Sequence, residues 1–598
     1  MKNKLVSTLM PLTLILSTLM ITVPIIPISA SPGSIIYWVD AGAVGDGTSE
    51  TTPAGNITYV LTTYALSTGD VIKVKPGTYD IAAGETFPIT LCVSGITLES
   101  TDGAETTIID AGGSDICIKI AADTVTVSGF TVKNAKGGIN FDSSVNKCTI
   151  NGNIICDISD DGIRIFGASN NKIVNNKILN IADLGIYLTT GANNTISANN
   201  ISTGGFAAVE LWGARELAKN NMFENNVIEN NNIGIILFGG SENKIIGNVI
   251  KDSTKYHGIH LQDTYGNIIE NNTITSNAEQ GIRFVGASNN KILRNIIQSN
   301  KIGLYLKDYA YGNSTGNKIH YNNILDNSKC GINNTAAETV DARFNWWGNL
   351  SGPNHSTNPS GTGDKISDCV DYSPWLGDPF EITPRTYHVN PTGTIQEAID
   401  EASPGDTIIV HDGTYNENIV VNKALTIQGV NKETTIVHGG GYNPTIQITA
   451  NDVVINGFTV EQEKGLFGIL TSTSITQDNI VLFDNIFDSR VQLYSVDNAE
   501  VFNNKFKVGS FSLWRSVGGG IYNNTISTFG VGIALYWCNE TIIEDNEIFA
   551  PTKQPTQTRG FTLNTARDSL SEATLYQTSQ LDRKNTITTA QKEPQYIC

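Results

Sequence analysis

The nine residues DISDDGIRI, Asp157 to Ile165, hold the densest chemistry in this chain. Asp160 and Asp161 are neighbouring carboxylates, Arg164 brings a guanidinium three positions later, and Asp183 repeats the carboxylate 23 positions after Asp160. Carboxylates held side by side can share a proton, divide the work of acid and base at one bond, or bind Ca2+. A different chemistry runs through Tyr187, Glu210, Trp212, Phe238, His260, Arg283 and Tyr305, and again through Tyr494, Trp514 and Tyr536. Aromatic rings stack on the C–H faces of sugars, while Arg, Glu and Gln bind hydroxyls. Asp364, Asp368 and Asp371 are a third set, spaced to offer oxygen ligands to calcium. Most of these residues lie about two dozen positions apart. They act together only if the chain brings every such interval back to the same place.

It carries the means to do so. The heptapeptide GASNNKI occurs at Gly167 to Ile173 and again at Gly286 to Ile292, 119 positions later. Small-aliphatic doublets mark the interval between: Gly138-Ile139, Gly162-Ile163, Gly185-Ile186, Ala208-Val209, Gly234-Ile235, Gly258-Ile259, Gly281-Ile282, Gly303-Leu304 and Gly331-Ile332, in steps of 22 to 28 residues. Asn-x-Ile travels in fixed phase with them, as in Asn171-Lys172-Ile173 and Asn290-Lys291-Ile292. Within each unit apolar residues alternate, which is a strand with one buried face. The period is too short for helical solenoids, and no leucine lattice is present. The reading that remains is a coil of about three short strands per turn, each pairing in parallel with its counterpart about 4.8 Å away. Stacked in phase, the outward positions line up in columns. Arg164, Tyr187, Glu210, Ile236, His260, Arg283 and Tyr305 form one, and Phe166, Thr189, Trp212, Phe238, Gln262, Val285 and Lys307 the next. Asn at the corners suits tight turns and coil-to-coil hydrogen bonds.

These units resemble the right-handed parallel β-helix repeats of the pectin-lyase-like superfamily, which includes carbohydrate-binding and sugar-hydrolase β-helices and NosD-type periplasmic proteins. The likeness covers Ile89 to Thr335 and Asn418 to Phe549. It implies an all-β fold, a right-handed parallel β-helix built as two tandem domains, each with an N-terminal cap. Asp160-Asp161 before Gly162-Ile163 resembles the paired aspartates of polygalacturonases, and Tyr256-His257-Gly258 is similar to that family's Gly-His-Gly. Its Asn-Thr-Asp element is missing, and His257 falls four coils from Asp161, roughly 19 Å at the strand spacing. Lyases of this fold use an Arg base beside calcium-binding carboxylates, a role the resemblance gives to Arg164 beside Asp160, Asp161 and Asp183. The NosD likeness implies an accessory protein of metal-centre maturation, with His257 and His260 the one close pair among seven histidines.

The same reading divides the chain. Residues 1–30, with Lys2 and Lys4 before an apolar run ending Ile28-Ser29-Ala30, form a signal peptide cleaved after Ala30, leaving no membrane span. Residues 31–344 are the first β-helix domain and 345–384 a Trp, Gly and Pro-rich closing segment with linker, in which Trp346, Trp347 and Trp375 can cover the open end of the coil. Residues 385–549 are the second domain, whose SPGDTIIVHDGTYN echoes STGDVIKVKPGTYD near the start of the first. Before that echo Ile395, Ala398, Ile399 and Ala402 recur at helical spacing, as a cap should. Residues 550–598 read as an irregular tail. A net charge of −19 excludes nucleic acid as a partner and suits cations or neutral sugars. Eight cysteines are too few for a disulfide framework, and Cys148 and Cys156 either pair or stay free. The expected protein is secreted or at the cell surface, periplasmic where an outer membrane exists. It binds polysaccharide or cell-envelope glycans without turnover. A lyase or glycoside hydrolase is the alternative, and a NosD-like accessory role comes third.

Overall fold

The computed structural model describes residues 33–528 and 531–549, with the backbone of two short strands at Phe561–Asn564 and Ile587–Thr588. The segment 1–30, expected to be a signal peptide, and nearly all of 550–598 lie outside the described residues. The chain winds as a parallel β-solenoid of about 21 turns. One coil shows the rule: Lys172–Val174, Lys177–Ile181 and Leu184–Thr189 are followed by Thr195–Ser197, Asn200–Ser202 and Ala207–Gly213. Their registers, Ile173 with Ile196, Ile178 with Ile201 and Ile186 with Val209, put like on like. Three aliphatic columns therefore fill the interior, and their members are fully buried. Each such side chain contributes about 1.5–3 kcal/mol by leaving water.

Two further ladders hold the corners. Asn153, Asn176, Asn199, Asn226, Asn248, Asn272, Asn295, Asn322 and Asn345 stack as one, each donating its backbone N–H to the Oδ1 of the next at 2.8–3.0 Å. Asn171, Asn194, Asn221, Asn243, Asn267, Asn290 and Asn317 form the other in the same manner. The side-chain amide donates up the stack and to a main-chain carbonyl below, so buried turn backbone finds partners without leaving the interior.

The buried apolar residues form two large clusters, one from Tyr37 to Trp375 and one from Phe344 to Ile543. Each stack opens with a short helix, Ile57–Thr63 or Ile395–Glu401, capped by the same device. Glu85 accepts from the N–H groups of Ile57 and Thr58 at 2.6 and 2.9 Å, and Glu417 from those of Ile395 and Gln396 at 2.9 and 3.1 Å. In the closing segment Trp347 and Trp375 are fully buried in the first core and Trp346 packs against the second. At the far end, Phe561–Asn564 pairs in parallel with Ile533–Tyr536 and adds one more rung. Cys148 and Cys156 are free thiols. Among the described residues no helix is long and apolar enough to cross a membrane.

Candidate functional site

The third strand of each coil builds one long outward face. Its registers run Asn140, Arg164, Tyr187, Glu210, Ile236, His260, Arg283, Tyr305 and Asn333 in the first expected column, and Phe166, Thr189, Trp212, Phe238, Gln262, Val285 and Lys307 in the second. A third column was not legible from simple alternation. Gly185 and Ile186 are both fully enclosed, and a Cβ on Gly185 would sit 2.5 Å from the carbonyl oxygen of Ala208 and 2.9 Å from Ile201 Cγ2. Two successive residues thus face inward, and the residue before the small one is turned outward beside the main column. Leu184, Ala207 and Ile233 follow one another in register there, as do Gln280 and Ile302, and Asp161 and His257 hold the same place before their glycines. The doublets themselves were the signal: a small residue recurring where another coil's carbonyl leaves no room for a Cβ.

This extra column gives the face three regions. At its start Asp160, Asp161 and Asp183 bring one carboxylate oxygen each to within 4.8 Å of the others, the one such group of potential ligands among the described residues. Arg164 Nε lies 3.9 Å from Asp161 Oδ2, and its guanidinium covers the Tyr187 ring at 5.4 Å. Burial pushes the Asp161 carboxyl up to about 7, Asp160 and Asp183 push the same way, and Arg164 opposes them. Burial and then the charge of a neighbouring aspartate also raise Asp183 and Glu210. In the middle Leu184, Ala207, Ile233 and Ile236 pack as an apolar floor outside the main core, flanked by Tyr187, Phe238 and Tyr256. Past it stand His257, His260 and Arg283. Phe166 and Trp212 project from the rim, each 50% exposed.

Buried polar atoms without partners gather on this face. Of thirteen among the described residues, eight belong to Asn140, Asp161, Thr189, His257, His260, Asp263, Thr264 and Arg283, which lie on these strands, just before them or at the corner that follows them. Such atoms are rare because each costs about 1–3 kcal/mol.

Other expected sites fare differently. Tyr494, Trp514 and Tyr536 do stand in register. Their rings stack on one another, however, at 6.4 and 3.9 Å between centroids, so they offer edges to solvent and not open faces. Asp364, Asp368 and Asp371 do not gather into a calcium site. Asp364 ends a further, shorter ladder of Asn277, Asn300 and Asn327, accepting from Asn327 Nδ2 at 2.7 Å; exposed Asp368 meets His355 at 3.1 Å; Asp371 lies 3.7 Å from Arg343. Each is drawn to a different neighbour: Asp371 stays in register with Asp341 on the last rung of its sheet, while Asp364 and Asp368 sit elsewhere in a closing segment whose intervals are no longer equal.

Asp161 yields a pH test. Its folded value lies above the unfolded one, so the folded state holds the extra proton between about pH 4 and 7, and stability falls as pH rises through that window. Asp161→Asn should flatten this slope and raise the melting temperature at pH 8 but not at pH 4. Parallel pH profiles for the two proteins would contradict the assignment.

Comparison with known proteins completes the picture. A family model described as periplasmic copper-binding protein (NosD) matches residues 79–254 and 217–354. Residues 79–354 of this parallel β-solenoid are thus similar to NosD. The chain is also 40% identical over 106 residues to a cell surface glycoprotein of Methanothermus fervidus, covering 17% of each chain. Both matches are to proteins outside the cytoplasm, and this NosD-like chain is of the secreted or surface kind. Among solved structures it is similar to the alginate lyase AlyGC, at TM-score 0.37 and 13% identity over 89% of this chain and 99% of that one. It is likewise similar to the AlgE4 A-module, a mannuronan C-5 epimerase of Azotobacter vinelandii, at TM-score 0.37 and 15% identity over 73% and 100%. At these scores the likeness says nothing further.

Proposed function

We propose that this chain holds a polysaccharide or cell-envelope glycan along the third-strand face of its first stack, without turning it over. What supports the reading is the coincidence of unpartnered buried polar atoms with exposed Phe166 and Trp212 on one continuous face. Glycans match that combination, since hydroxyls donate and accept while C–H faces lie on rings. A track of parallel strands repeats about every 4.8 Å, so an extended polymer meets the same kind of contact coil after coil. The likeness to a surface glycoprotein fits this setting.

The test is retention of the full chain on a panel of immobilised neutral and acidic glycans. Trp212→Ala should weaken retention about three- to tenfold, the worth of one ring contact. Its circular dichroism should be unchanged, because the ring is half exposed. Retention of no glycan, or equal retention by the variant, would overturn the reading.

A second reading is cleavage at Asp160, Asp161, Asp183 and Arg164. It is favoured by a carboxyl that holds its proton near pH 7 beside two further carboxylates able to bind Ca2+. For the accessory role in metal maturation, the described residues offer no cluster of nitrogen or sulfur ligands beside these aspartates.

A further inference from the structure

His257, His260 and Arg283 meet at the opposite end of the face from the aspartates. Arg283 Nη1 lies 3.0 Å from His257 Nε2, and the two imidazoles meet edge to face with centroids 5.4 Å apart. A guanidinium has donors only, so His257 Nε2 must accept, and the neutral ring carries its proton on Nδ1. That N–H is buried and finds no acceptor, nor does Arg283 Nε–H, and His260 Nε2 is unpartnered beside them. Burial drives both imidazoles toward the neutral form, helped at His257 by His260 and then Arg283 and at His260 by Arg283, which keeps this tautomer in place at neutral pH. His257 is only 5% exposed, so this is a built arrangement and not a set of free surface chains.

The surroundings carry the same sign. Lys255 Nζ stands 4.9 Å over the Tyr256 ring, Lys307 lies in register with Val285 on the next column, and Glu279 is taken up by Lys301 at 2.7 Å. Asp263 follows at the next corner, with a buried Oδ1 that finds no partner. Although the whole chain is strongly acidic, Asp160, Asp161 and Asp183 lie four to five coil steps from Arg283, about 19–24 Å, and Glu210 three steps from it, about 14 Å.

We propose that Arg283, His257 and His260 form a subsite for an oxyanion carried by a glycan, a carboxylate or a sulfate ester, with Arg283 Nε–H and His257 Nδ1–H as its donors. The subsite rests on the glycan reading and adds the sign of the ligand's charge. An acceptor-only group satisfies both donors and the cation together, whereas a hydroxyl satisfies one nitrogen and leaves the charge unmatched. With carboxylates at the other end, it also fixes which way an anionic glycan lies.

The experiment is equilibrium binding of the full chain to a galacturonate hexamer, its methyl ester, dextran sulfate and dextran. Wild type should prefer an oxyanion-bearing probe over its neutral counterpart by about tenfold or more, the worth of one charge-assisted bond. Preference for the hexamer or the sulfated polymer identifies the oxyanion. Arg283→Lys, which keeps the charge but loses the Nε–H, and His257→Phe should each abolish the preference, so that charged and neutral probes bind equally. Equal binding of charged and neutral probes by wild type, or an unchanged preference in Arg283→Lys, would overturn the subsite. If His257→Phe fails to fold, Arg283→Lys decides alone, since its side chain is half-buried. Neutral binding that remains sensitive to Trp212→Ala would leave the glycan reading standing while this subsite falls. Binding of no probe would overturn both.

Discussion

Replacing Asn226 by Leu is expected to cost about 3–5 kcal/mol, although the new side chain is apolar and of similar size. Asn226 Oδ1 accepts from Asn199 N–H and Asn199 Nδ2, both at 3.0 Å, while its own Nδ2 donates to Ile196 O and Asn248 Oδ1, both at 2.9 Å. Leucine leaves two buried donors of Asn199 without an acceptor and takes a donor from Ile196 O. Every other element of the coil stays, so the loss is one of hydrogen bonding and not of packing. Because each coil leans only on its neighbours, the damage should centre on Asn199 to Asn248. Guanidinium unfolding measures the total, and hydrogen exchange should show the amides of these coils opening first. A change below about 1 kcal/mol would mean that the ladder is incidental to stability.

The second large effect concerns the join between the stacks. Arg343 grips Asp341 with two nitrogens at 2.9 and 3.0 Å, binds Glu397 on the second stack's cap helix, and lies 3.7 Å from Asp371. His320 Nε2 approaches Asp341 at 2.7 Å. Arg343→Ala removes the cation from among three carboxylates, for an expected loss of about 3–5 kcal/mol at pH 7. Burial alone would raise Asp341, but hydrogen bonds from His320 and Arg343 outweigh it and hold the carboxyl well below the usual range. A depressed carboxylate contributes stability above its unfolded value, near pH 4, and loses it as the pH falls toward the folded one. The gap in melting temperature between wild type and Arg343→Ala should therefore be widest at neutral pH and narrow in acid. A gap independent of pH would show that Arg343 acts there through packing alone.

How far the sequence carried these conclusions depended on what each feature needs. Equal intervals suffice to predict stacking, so Tyr187 and Glu210, and Arg164 and Tyr187, are neighbours in register as their spacing requires. The asparagine ladders follow from the same arithmetic. The column containing Asp161 and His257 was lost because alternation was assumed to pass straight through the Gly-Ile doublet, where two successive residues turn inward. Ring orientation has no signature in spacing: Trp514 and Tyr536 occupy their expected places yet stack on each other. Asp364, Asp368 and Asp371 look like a ligand set by proximity in sequence, but where the intervals between coils are unequal, proximity fixes no geometry. The arginine that joins the stacks contacts residues from Asp341 to Glu397, a pairing that no period announces.

The most direct test of the central claim is to incubate the full chain with the glycan it retains best and to measure bound ligand and new chain ends in the same sample over time. The account predicts saturable binding, weakened by Trp212→Ala, and no increase in reducing or unsaturated ends. Chain ends that accumulate with wild type and vanish with Asp160→Ala would contradict it and make the aspartate cluster the centre of an enzyme.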